Sequence, residues 1–114
     1  MTDSIHKTPV WDIEHTHSEK VEPVKDALRN VMDPEIGLSV IELGLIRNVS
    51  IIKDQADVLM IMTTPFCPYA PALLEATRQK AEEALGIHTS MSFGMEPWDP
   101  SMMEEGAGAA WGFY

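Results

Sequence analysis

The chain has 114 residues, 45% hydrophobic and 23% charged, the balance of one small soluble domain with a single core. A net charge of −10, from 18 acidic against 8 basic residues, argues against a nucleic-acid backbone or an anionic membrane as partner and leaves proteins or small molecules. A single cysteine excludes an internal disulfide framework, and no segment reads as a signal peptide or membrane span, so a reducing, cytoplasmic setting is expected.

Residues 1–17 read as a polar arm, with Val10, Trp11 and Ile13 as anchors. His15 and His17 with Asp12 and Glu14 are of the types that bind zinc or iron, but no spacing fixes a geometry, and a solvated arm is the favoured reading. A domain is expected over residues 18–100. Its first helix is predicted from Pro23 to Met32, with Val24, Ala27, Leu28 and Val31 as the apolar stripe; Ser18 would start it a turn earlier at the cost of an internal proline. Pro34 stops it, because the residue before a proline is pushed out of helical geometry.

Next comes an apolar passage around Gly44 that contains Glu42, an acid that needs a partner if it is buried. A strand is predicted from Ile46 to Ile52, then a hairpin turn at Lys53-Asp54-Gln55. The run from Val58 to Met62 is apolar at every position, which predicts a central strand covered on both faces. A long helix follows over Ala70 to Leu85, burying Leu73, Leu74, Thr77, Ala81, Ala84 and Leu85 and capped by Gly86. From Ile87 to Met95 the alternation of Ile87, Thr89, Met91, Phe93 and Met95 with small polar residues predicts a strand with one buried face. Residues 101–114 form a tail ending in Trp111, Phe113 and Tyr114, whose aromatics suit docking on the domain or on a second subunit. The order α-β-β-α-β predicts a two-layer α+β sandwich, with helices on one face of a small mixed sheet.

The chemistry concentrates on Cys67, in the stretch Thr63-Thr64-Pro65-Phe66-Cys67-Pro68 between the apolar strand and the long helix. A thiol at a strand-to-helix junction meets the free N–H groups of the helix start, which favour its thiolate. The competing reading is a small buried hydrophobe, and the surrounding prolines tilt against it by stiffening the loop. No glycine-rich phosphate loop, nucleophile elbow or paired-histidine zinc helix is present. Asp33 and Glu35 bracket Pro34, where simple turn chemistry explains them as well as a site does.

Three stretches carry a resemblance. Residues Asp33-Pro34-Glu35-Ile36-Gly37 through Ile46 resemble the opening motif of the MIP18 family, also called DUF59. The Thr63 to Pro68 stretch resembles its second motif and Pro97-Trp98-Asp99-Pro100 its third, in the family's order, over roughly residues 22–100. The resemblance implies an iron–sulfur cluster assembly domain-like fold and a SufT-like or PaaD-like role. Carried over by motif, the family's reactive cysteine is Cys67, a candidate ligand for a transient iron–sulfur cluster or iron; an adapter role with no bound cluster fits the sequence equally. Asp33, Glu35, Glu42, Thr63, Thr64, Pro65, Pro68 and Trp98 are the supporting residues of that thiol. The family commonly has aspartate where this chain has Glu42, so a finely positioned role is not carried onto that residue.

The expected function is therefore that of an accessory factor, not an enzyme, whose partners are iron–sulfur assembly proteins and client apoproteins. One thiolate cannot hold a cluster that takes four ligands, so a homodimer, small thiols or a client's own ligands would complete it. A PaaD-like subunit of a phenylacetate-degradation oxygenase system differs mainly in its client. A cysteine-nucleophile enzyme would need a base near Cys67, and His88 is the one histidine in the expected core.

Overall fold

The computed structural model describes residues 10–63 and 68–103. A short helix α1 (Ile13–Thr16) and a 3-10 turn over Ser18–Lys20 lead into α2 (Val21–Leu28). A hairpin, β1 (Ile46–Ile52) and β2 (Gln55–Met60), follows, then the long α3 (Ala70–Leu85) and β3 (His88–Phe93). The sheet order is β1-β2-β3; β1 runs antiparallel to β2, while β3 runs parallel to it, as a strand reached through a crossover helix must. Helix α2 packs on α3, and α3 lies against β2 and β3, giving the expected two-layer α+β fold.

Both elements with unambiguous patterns have their expected limits. Helix α3 buries Leu73, Thr77, Ala81 and Leu85 and ends at Gly86, whose φ of 73° lets its N–H reach the Glu82 carbonyl. Strand β1 spans Ile46–Ile52, with a bulge between Ile46 and Asn48 that swings Arg47 out of the pairing. The hairpin turns at Lys53, which takes a φ of 59°.

Four expectations change. Helix α2 starts at Val21, with Pro23 inside its first turn, and the 3-10 turn at Ser18–Lys20 extends it upstream. It stops at Leu28 because Val31 and Met32 are needed elsewhere: Val31 accepts from the Val40 N–H, and Met32 bridges Ser39. Trp11 and Ile13 are buried as anchors, whereas Val10 is exposed. Strand β2 is central but alternates, with Ala56, Val58 and Met60 buried and Asp57 and Leu59 only half-buried. The expected buried face of β3 opens at its end, where Phe93 is 50% and Met95 90% exposed.

Gly44 decides how the chain closes. The N–H of Leu45 reaches the Val40 carbonyl and that of Gly44 the Ile41 carbonyl, the bond pair that ends a helical turn through a left-handed residue, and Gly44 has a φ of 74°. A Cβ built there would lie 1.9 Å from the carbonyl oxygen of Met102. Met102 is thus laid directly on this turn, and both it and Met103 are buried. Gly37 has a similar φ of 83° but nothing within 4 Å of a built Cβ. Gly37→Ala is expected to cost ~1 kcal/mol of backbone strain. Gly44→Ala adds the clash and is expected to cost about 2–4 kcal/mol. Urea melts of the two variants measure the difference, and equal losses would show that the Met102 contact carries no weight.

Candidate functional site

Asp33 is the most deeply buried acid among the described residues, at 1% exposure. Its Oδ1 accepts from the N–H groups of Glu35 (2.9 Å) and Ile36 (3.3 Å), while its own carbonyl accepts from the Gly37 N–H at 2.7 Å. Pro34, Glu35 and Ile36 therefore form one helical turn with Asp33 as its cap and proline at the first position, where a missing N–H costs nothing. The same Oδ1 accepts a third bond, from the Tyr69 hydroxyl at 3.3 Å. Tyr69 immediately precedes α3, so this bond fastens the Asp33 turn to the head of the long helix. The other oxygen, Oδ2, has no partner among the described residues.

Glu42 has a different role. Its Oε1 accepts from the Ser39 N–H at 2.9 Å, and the Ser39 hydroxyl accepts from the Glu42 N–H at 3.1 Å. Ser39-Val40-Ile41-Glu42 is a reciprocal capping box, which explains a half-buried acid in an apolar run without any chemistry. At the far end of that turn the Trp98 indole donates to the Leu43 carbonyl at 2.7 Å, and Arg47, freed by its bulge, donates to the Gly44 carbonyl at 3.0 Å and pairs with Glu96.

The supporting residues thus fall into distinct places. Asp33 lies at the α3 head, with Glu35 exposed on its turn; Glu42 and Trp98 hold the two ends of the neighbouring turn. Thr63 lines a 260 Å³ groove with Met62, Phe93, Met95, Pro97 and Trp98. Pro68 is exposed before Tyr69. Thr64, Pro65 and Cys67 lie outside the described residues, as does the tail from Glu104 to Tyr114. Tyr69 was missed by sequence reasoning; its place two residues beyond Cys67, at a helix start, was the available signal.

Other groups are structurally engaged. Glu14 accepts from the Trp11 N–H, and Asp12 exchanges bonds with the Asn48 side chain. Among the described residues no three His, Cys, Asp or Glu side chains gather as metal ligands. His88 sits beyond the C-terminal end of α3, 3.7 Å from Glu82, while Pro68 and Tyr69 precede its start. A helix of this length spans ~24 Å, so His88 is far from the residues that follow Cys67. On α3, Arg78 bonded to Glu75 and Gln79 beside it hold the Glu75 carboxyl down at about 2, while the Thr89 N–H and then Arg78 keep the Glu82 carboxyl below the usual range. No helix of the described residues is long and apolar enough to cross a membrane.

The described residues form a small mixed sheet with a crossover helix, with the Asp33 turn bonded to the helix head and the turn capped by Ser39 and Glu42 bonded through Leu43 to Trp98. A family described as iron-sulfur cluster assembly protein matches residues 22–90, and the chain belongs to it. An Fe-S protein maturation auxiliary factor of Porphyromonas gingivalis is 39% identical over 95 residues, covering 81% of this chain and 90% of that one. Among solved structures, a conserved hypothetical protein of Thermotoga maritima matches with a TM-score of 0.64 at 31% identity, over 93% of this chain and 98% of that one. A DUF59 domain of unknown function from Bacillus anthracis shares the fold with a TM-score of 0.75 at 22% identity, over 87% and 97% of the two chains.

Removing the Asp33 side chain (Asp33→Ala) is expected to cost about 2 kcal/mol, since it uncaps a turn and releases α3's head together. Glu42→Gln keeps the capping box and is expected to be neutral in both stability and function, whereas Glu42→Ala loses ~1 kcal/mol. Thermal melts and client-activity assays check the pair; a functional defect in the glutamine variant would assign Glu42 a chemical role.

Proposed function

We propose that this protein is an auxiliary factor in the maturation of iron–sulfur proteins, acting through Cys67 and through docking of client apoproteins. The reading is carried by the Tyr69–Asp33 bond, which joins the segment directly following Cys67 to the buried turn of the first motif. Family membership and the auxiliary-factor name of the P. gingivalis relative support it. Iron or a cluster is cargo in this scheme. Cys67 is a soft ligand for it, and Asp33 Oδ2, without a partner among the described residues, is an acceptor for a donor or cation near the α3 head. One chain does not supply four ligands, so client ligands, small thiols or a second copy complete the set. A catalytic role for the thiol is disfavoured by the position of His88, which pairs with Glu82 beyond the opposite end of α3.

Cys67→Ser keeps the size of the side chain but removes the soft ligand, and is expected to abolish maturation while leaving the melting temperature unchanged. Complementation in cells lacking the gene, read as the activity of iron–sulfur enzymes, tests this. Full activity with the serine variant would remove the thiol from the mechanism, and undiminished client activity after gene deletion would overturn the maturation reading itself.

A further inference from the structure

The two edges of the sheet are treated differently. At β1 the Trp11 indole donates to the Ile46 carbonyl at 3.0 Å, Asp12 and Asn48 bond to each other, and the bulge at Arg47 breaks the ladder. These are the devices by which an edge is closed to strand addition. Strand β3 is covered only at its start, where Glu82 takes the Thr89 N–H; beyond that it keeps an unbroken register with β2 over its six residues and has no Lys or Pro.

Which groups point outward follows from two bonds. The Gly94 N–H reaches the Met60 carbonyl at 2.7 Å, toward β2, while the Thr89 N–H turns away to Glu82 at 3.1 Å. Residues alternate along a parallel ladder, so Met91 and Phe93 present their N–H and C=O groups outward, without partners among the described residues. The same edge ends in exposed apolar side chains, with Phe93 at 50% and Met95 at 90% exposure, beside the 260 Å³ groove.

Charge selects the occupant. Glu82 stands at the Thr89 end, sharing Arg78 with Glu75; Glu96 lines the groove, paired with Arg47; and Asp57 takes the hydroxyls of Ser90 and Ser92 on the sheet face, so the acids of this edge outnumber the two arginines that meet them. A second copy would bring these same acids, and the whole chain carries −10. We propose that the outer edge of β3 accepts, as a fourth strand, an extended segment of another polypeptide with an apolar side chain for the groove and basic residues flanking it. Main-chain bonds at Met91 and Phe93 would give affinity, and the groove with its acidic border would give selectivity. That this segment belongs to a client rests on the maturation reading; the capacity of the edge to take a strand does not.

The test uses the full chain and the synthetic peptide Lys-Lys-Val-Phe-Val-Lys, followed through the backbone amide resonances. Saturable shifts and slowed exchange at Met91 and Phe93 are expected. The peptide N-methylated on its edge-facing amides, the version with Glu in place of Lys, and the Phe93→Lys protein should each bind about tenfold or more weakly. Equal binding of the N-methylated peptide, or shifts confined to other surfaces, would overturn the proposal. So would a concentration-dependent dimer of the wild type that Phe93→Lys abolishes, because the edge would then pair with its own copy. The Cys67→Ser variant should bind the peptide like the wild type. A failure of maturation with peptide binding intact therefore belongs to the thiol, and a failure of peptide binding with maturation intact belongs to the edge.

Discussion

Burying one carboxyl group organises this small domain. Asp33 is shut away from water, and a polar group in that position must be met by donors or it opposes folding by several kcal/mol. Two donors come from its own turn and fix the path of Pro34 to Ile36. The third, Tyr69, comes from 36 positions further along and can reach Asp33 only when α3 starts where it does. The demand of a single side chain thus ties a local turn to the head of the longest helix, two residues after Cys67 in the sequence.

A second constraint works through an absence. Because Gly44 has no side chain, the Met102 backbone lies in direct contact with the turn that Ser39 and Glu42 cap. Trp98 is then placed to donate to the Leu43 carbonyl, which the end of the turn would otherwise leave unbonded. The Pro97 to Asp99 stretch is consequently part of the structure of the first motif rather than an appendage. The two motifs are separated in sequence by about half the chain and joined by one bond and one close approach.

Legibility in the sequence followed the physics of each element. Helix α3 had clean periodicity and declared its limits, with Gly86 marking its end, and strand β1 kept its expected span although a bulge breaks its alternation. Helix α2 did not, because the apolar spacing of Val31 continues the helical stripe while its backbone is engaged by Val40, a tertiary demand that no local pattern carries. The run at Val58 read as doubly covered because Leu59 is apolar, yet Leu59 lies on the face shared with Asp57, Ser90 and Ser92. Glu42 was singled out as an unusual acid, and the Ser-x-x-Glu spacing that explains it was already present in the sequence. Tyr69 was illegible for a simpler reason: a hydroxyl that works through a distant carboxyl leaves no periodic trace.

The open features of the molecule share one end of the sheet. Strand β2 ends at Met60, and Thr63, which begins the thiol-bearing motif, lines the same groove as Phe93 at the close of β3 and Trp98 of the third motif. The opposite end holds the hairpin at Lys53 and His88, which lies 3.7 Å from the Glu82 carboxyl. A strand added along β3 with its apolar residue in the groove would therefore end beside the segment leading to Cys67. Among the described residues the groove is poor in polar groups, with Glu96, engaged by Arg47, as its one charged side chain. Recognition by main-chain bonds tolerates varied side chains, which suits the strand addition proposed at this edge.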